Sequence, residues 1–218
     1  MKLVWSPETA SKAYIDTVKS CKIFKESGVA EFISALAAGW NVQLVVETWS
    51  QGGPTATSVG LSIATSHTGG KHICVVPNEN SKSAYIDSMR KHGQLITDDD
   101  IIVGTPEKAM KGLEGIDFLV VDCQQDDFVR MLGVANFGQR GAVLICKNAS
   151  WRASTGFKWR SVLGEKSRIV RSVFLPVGKG LDIAHVGARC GGSVDSRDPS
   201  RWIKHVDRDS GEEFAIKK

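Results

Sequence analysis

Three stretches of this sequence carry residues that could do chemistry. In "LVVETWSQGGPTATSVGLSIA", residues 44–64, an apolar run enters a Gly-Gly-Pro turn and then an Ala/Ser/Val-rich segment. A strand feeding a glycine turn and a helix start offers unpaired backbone N–H groups and a positive dipole end, which suits a nucleotide-like cofactor. Gly52 and Gly53 would shape that turn, although any doubly wound sheet needs a tight connection at such a point. Glu47, at the same edge, is either a ligand for ribose hydroxyls or an ammonium group, or a helix-capping carboxylate.

The second stretch is split between "LVVDCQQDDF" and "LICKNASW", which end apolar runs at Asp122 and Lys147. Adjacent strand ends would bring these two side chains together, so a structural ion pair is the first expectation. In a functional role they form the candidate catalytic pair, with Lys147 holding an anionic group or acting as a base. The third stretch, residues 147–171, holds seven Lys/Arg, one Glu and the aromatics Trp151, Phe157 and Trp159. Basic groups interleaved with rings can contact phosphates and stack on bases. The competing reading is a solvated helix face with tryptophans packed beneath it. Asn148, Trp151, Arg152, Lys158 and Arg160 form the candidate substrate or anion set; nucleic acid is not favoured, because the basic surplus is modest.

These residues need a scaffold. Ser6 before Pro7 and Glu8 predicts a helix start, with Ala10, Ala13, Tyr14, Val18 and Cys21 on its inward face. A second helix is expected over "GVAEFISALAAG", with Val29, Phe32, Ile33 and Leu36 inward and Gly39 as its stop. Strands then alternate with helices: strands at 42–47, 72–76, 101–103, 117–121 and 142–146, and helices at 55–66, 80–91, from Thr105, and at 126–135. Asp126 and Asp127 are read as capping the last of these. Such alternation implies a mostly parallel sheet covered on both faces. "RIVRSVFLPVGKGLDIAHVGA" breaks the pattern, because Gly178, Lys179 and Gly180 are too few for a crossover and must turn a hairpin. A turn signal, "DRDSG", predicts a second small hairpin or extended arm in the tail.

The chain has 218 residues, 42% of them hydrophobic, which suffices for one substantial core. Its net charge of +4 is uneven: residues 147–218 carry +7 and residues 1–146 carry −3. Five scattered cysteines and five dispersed histidines show no metal-ligand spacing, which points to reduced thiols and no structural metal. No apolar run reaches the roughly 18 residues of a membrane span, and the first residues lack the apolar centre of a signal peptide. A soluble cytoplasmic protein is expected, with the nucleus as an alternative.

The order and spacing of elements over residues 5–187 resemble the class I S-adenosylmethionine-dependent methyltransferase fold, and within it the catechol and caffeoyl-CoA O-methyltransferases. The tail "SRWIKHVDRDSGEE" is similar to an uncharacterised group of plant proteins. The resemblance implies a Rossmann-like, doubly wound α/β fold with a seven-stranded sheet ending in an antiparallel hairpin. It implies N-terminal helices over 1–41, a methyltransferase-like domain over 42–187 and an arm or small hairpin over 188–218. Glu47, Gly52 and Gly53 match the family's cofactor loop, whereas Trp49 stands where its first glycine belongs. Pro77 replaces the carboxylate that holds the ribose, leaving Asn78 or Glu79 as substitutes.

The family's metal-dependent members ligate magnesium through an aspartate and an Asp-Asn pair. Asp122 and Asn148 match two of the three, but Lys147 replaces the second aspartate, and an ammonium repels the ion. Gln125 stands where the family has its lysine base, and an amide cannot take a proton at neutral pH. The resemblance therefore implies a methyltransferase-like protein that uses S-adenosylmethionine without a metal, on an acceptor the sequence does not name. The alternatives are a non-catalytic ligand-sensing or partner-binding module and, more weakly, a binder of RNA or another anion. The helix from Ser6 could serve as a lid or as a homodimer contact.

Overall fold

The element order is α1 (Pro7–Ser20), α2 (Val29–Gly39), β1 (Leu44–Thr48), α3 (Ala56–Thr68), β2 (Lys71–Val76), α4 (Glu79–Lys91), β3 (Ile101–Val103), α5 (Pro106–Met110) and β4 (Phe118–Asp122). It continues through α6 (Phe128–Val134), β5 (Ala142–Lys147), α7 (Trp159–Leu163), β6 (Ile169–Leu175), β7 (Leu181–Val186), β8 (Trp202–Val206) and β9 (Glu213–Lys217). The structure is a computed structural model, and it describes residues 3–22, 28–125, 127–150, 157–164 and 167–188, with the backbone of 202–206 and 213–217.

One sheet holds seven strands in the order β3-β2-β1-β4-β5-β7-β6. β1 to β5 run parallel, and β7 pairs antiparallel with both β5 and β6, as the short Gly-Lys-Gly connection requires. β8 and β9 form a separate antiparallel pair. The row Val45, Phe118 and Val143 packs toward one face, with Ile33, Ala37 and Leu61 from the helices. The next row, Val46, Leu119 and Leu144, packs toward the other, with Met110, Leu132 and Trp159. Burial on both faces is why these strands read as continuous apolar runs.

Local chemistry starts the helices where expected. The Ser6 hydroxyl accepts from the Thr9 N–H at 3.4 Å, and the Asn78 side chain accepts from the Ser81 N–H at 2.9 Å. Two details differ. In α1 the inward residues are Ala10, Ala13, Thr17 and Cys21, while Tyr14 and Val18 are 48% and 38% exposed. The cause is close packing on α2, where the Thr17 hydroxyl donates to Ser34 Oγ at 2.8 Å and larger side chains do not fit. Asp127 precedes α6 but caps no backbone group; its carboxylate pairs with Arg130 at 2.9 Å. Asp126 lies outside the described residues.

Gly60 shows how tightly the helices meet. A Cβ there would lie 2.7 Å from the Ala30 carbonyl oxygen, so α2 and α3 touch backbone to backbone. This approach fixes the start of α3 beneath the loop that follows β1.

Candidate functional site

The sheet reverses its winding between β1 and β4, and a cavity of about 610 Å³ opens over the carboxyl ends of these strands. Doubly wound sheets bind ligands in this crevice. The loop after β1, the ends of β4 and β5 and the β6–β7 turn line it, through residues that include Gly53, Thr57, Asp122, Gln125, Lys147 and Gly180. Gly52, at φ +87°, has the left-handed backbone that the turn needs, and the Gly53 N–H donates to the Ser50 carbonyl at 3.0 Å. Gln125 Nε2 donates to Ser50 Oγ at 3.2 Å, so it ties the β1 loop to the β4 loop across the crevice.

At the start of α3, Thr55 Oγ1 is 2.9 Å from Ser88 Oγ and makes no capping bond to its own helix. The first-turn N–H groups of this 13-residue helix therefore lack a side-chain cap next to the cavity that Thr57 lines. The positive end of the helix favours negative charge there.

Asp122 and Lys147 are register partners on β4 and β5, yet the expected ion pair between them does not form: among the described residues, no Lys147 ion pair falls within 4.0 Å. Asn148 takes the carboxylate instead. With φ +57° it turns back, and its Nδ2 donates to both Asp122 oxygens at 2.8 Å. The Gln124 N–H adds a third bond, at 2.9 Å. Lys147 is 7% exposed, lines the cavity and has no hydrogen-bond partner among the described residues.

The β1–β2 side is built differently. Glu47 is 1% exposed, and its Oε1 accepts from Tyr85 Oη at 2.8 Å and from His72 Nε2 at 3.1 Å. Burial pushes the Glu47 carboxyl up, but the His72 bond and the His72 and Lys147 charges outweigh it and hold it below the usual range. Burial, reinforced by the Glu47 charge, drives the Tyr85 phenol well above its ordinary value, so it stays a donor. Trp49 packs edge-on against Tyr85, with ring centroids 5.3 Å apart, and its Nε1 donates to the Gly53 carbonyl at 3.1 Å. Glu47, Trp49, Asn78 and Glu79 line no part of the cavity: the first two are buried beside it, Asn78 caps α4, and Glu79 is exposed on the first turn of α4.

In the basic segment, Trp151 and Arg152 lie outside the described residues. Trp159 is buried, with Nε1 donating to Asp182 Oδ1 at 2.7 Å, and Phe157 packs on Trp159 and Phe128. Lys158 and Arg160 are exposed beside a second groove, apart from the main cavity. Reasoning from sequence missed His72 and Tyr85, which reach Glu47 only through the fold. It also missed the Val177–Gly180 turn as a cavity wall; the paired glycines marked the turn but not its destination. No helix among the described residues is long and apolar enough to cross a membrane.

The sequence pattern of a family described as "Protein of unknown function (DUF1442)" matches residues 1–218. The chain belongs to the DUF1442 family. No curated protein matches it in sequence. Among solved structures, it is similar to a methyltransferase from Geobacter sulfurreducens, with a TM-score of 0.56 and 19% identity over 81% of this chain and 88% of that chain. The S-adenosylmethionine complex of the O-methyltransferase TomG from Streptomyces achromogenes gives 0.54 and 17%, over 85% and 92%. The SAH-bound methyltransferase PaMTH1 from Podospora anserina gives 0.54 and 16%, over 83% and 88%. With its strand order and terminal hairpin, this member of DUF1442 has the class I methyltransferase fold.

Proposed function

We propose that the chain is a methyltransferase-like protein that binds S-adenosylmethionine in the cavity over β1 and β4 and works without a divalent metal. The observation that carries this reading is the cavity itself, a polar crevice at the winding reversal, walled by a glycine turn and an uncapped helix start. Its volume is in the range of small-molecule sites. Two structural neighbours were solved with S-adenosylmethionine or S-adenosylhomocysteine bound.

The residues fit the amino-acid end of this cofactor better than its nucleoside end. The uncapped first turn of α3 at Thr57, together with Lys147, offers donors and positive charge to a carboxylate. On the nucleoside side Glu47 is bonded within the protein, and Asn78 and Glu79 stand away from the cavity. When bound, the cofactor supplies an electrophilic methyl group on sulfur. The chain's own part is to position an acceptor: Gln125 fixes the crevice, the Asn148–Asp122 clasp sets its floor and Lys147 supplies positive charge where a metal ion would otherwise stand. Gln125 cannot remove a proton, so the acceptor must ionise easily by itself.

The second reading, a ligand-binding module without catalysis, is favoured by the same Gln125, whose amide serves as a clasp. We read the family as a plant group on the strength of the tail "SRWIKHVDRDSGEE", and we read residues 1–41, 42–187 and 188–218 as its three parts. Calorimetric titration with S-adenosylmethionine and S-adenosylhomocysteine in the presence of a chelator tests the proposal. Micromolar binding, near −8 kcal/mol by the affinity scale, is expected; no heat from either compound would remove it.

A further inference from the structure

Among the described residues, three carboxylate or ammonium side chains are buried: Glu47, Asp117 and Lys147. Two have close partners within the protein. Asp117 Oδ2 accepts from the Gln43 N–H at 2.8 Å and pairs with Arg140, and Glu47 is held through Oε1 by Tyr85 and His72, while its buried Oε2 has no hydrogen-bond partner among the described residues. Lys147 alone has neither a hydrogen bond nor a carboxylate within 4.0 Å among the described residues, and it lines the cavity. A largely buried ammonium with no carboxylate within 4.0 Å among the described residues is costly, and an anion entering the cavity relieves that cost.

The surroundings select the kind of anion. The uncapped start of α3 adds positive potential to the same space. Asp122, on the cavity wall, has its oxygens turned to Asn148 and Gln124 but keeps its negative charge, which disfavours a dianion. One ammonium opposite one fixed carboxylate matches a singly charged group that accepts hydrogen bonds.

We propose that Lys147 is the receptor for a ligand carboxylate inside this cavity. Two sources share that chemistry: the amino-acid carboxylate of S-adenosylmethionine, which rests on the cofactor reading above, and a small organic acid, which does not. Binding of S-adenosylhomocysteine, 5′-methylthioadenosine, benzoate and benzamide is measured with the full chain and with the variants Lys147→Met and Lys147→Arg. 5′-Methylthioadenosine keeps the nucleoside and lacks the carboxylate, and benzamide is neutral.

A cofactor source predicts that Lys147→Met weakens S-adenosylhomocysteine by roughly 10- to 100-fold, with 5′-methylthioadenosine unchanged and affinity largely kept in Lys147→Arg. An organic-acid source predicts the same loss for benzoate, with S-adenosylhomocysteine unaffected. Benzoate binding that depends on Lys147, without any S-adenosylhomocysteine binding, supports the receptor and removes the cofactor reading. If Lys147→Met fails to fold, the unmodified protein still decides: an acid must bind at least about tenfold tighter than its counterpart without the carboxylate. The proposal is overturned if the native protein binds neither acid, shows no such preference, or loses nothing on Lys147→Met.

Discussion

The two sides of the crevice are made of similar residues arranged to opposite ends. On the β1–β2 side a carboxylate, an imidazole, a phenol and an indole close on one another, and none lines the cavity. On the β4–β5 side a lysine is also buried, yet among the described residues it has no hydrogen-bond or ion-pair partner, and it lines open space. The difference separates scaffold from site. Polar groups that bond each other hold the fold, whereas a buried charge without a partner is a standing cost that a ligand can relieve.

The comparison can be broken most forcefully at Trp49. A ring standing where the resembled family has a glycine would be expected to obstruct a cofactor loop, but it packs on Tyr85 and ties down Gly53. Trp49→Gly should therefore cost about 3–5 kcal/mol in chemical denaturation, as loss of a large buried ring does. A stable variant that binds S-adenosylhomocysteine more tightly would return the ring to the role of obstruction.

Tyr85→Phe is the next step down. It removes one donor from a buried carboxylate without leaving a hole, so a loss of about 1–3 kcal/mol is expected, with ligand binding unchanged. Acid sharpens the same contrast. The Glu47 carboxyl lies below its ordinary value of 4.5 in the fold, so its contribution is complete above that pH and is lost as the pH falls through the lower folded value. Unfolding midpoints measured from pH 6 to pH 3 should drop in the native protein and change less in Glu47→Gln. Gln125→Ala has the smallest expected effect, about 0.5–1.5 kcal/mol, because its bond to Ser50 is only partly buried. Its larger signature should be faster amide exchange in the two loops that it ties.

Much of the scaffold was legible because its signals are local. Ser6-Pro7 opens α1, Asn78 caps α4, and the Gly-Lys-Gly connection forces β6 and β7 antiparallel. The placement of Asp122 beside Lys147 was also legible, and the strand register agrees. Their ion pair was not, because its fate depends on Asn148, whose left-handed backbone carries its amide onto Asp122. Asparagine tolerates that conformation, but nothing nearby announces it. The Glu47 network was illegible for another reason: His72 and Tyr85 stand 25 and 38 residues away along the chain, and only the packing of β2 and α4 brings them in. In α1 the inward positions Ala10, Ala13 and Cys21 were read correctly, but Tyr14 and Val18 were not and Thr17 was missed, because the apolar side chains look more inward-facing than a small polar residue chosen for close packing on α2.

The most direct test of the division between scaffold and site is a nuclear magnetic resonance titration of the full chain with S-adenosylhomocysteine. The division predicts that the amides of Gly52, Gly53, Thr57, Asn148 and Gly178 shift, while the indole of Trp49, which lines no part of the cavity, stays where it is. Movement of the Trp49 indole with the cavity amides silent would contradict it and place the ligand on the other side of the crevice.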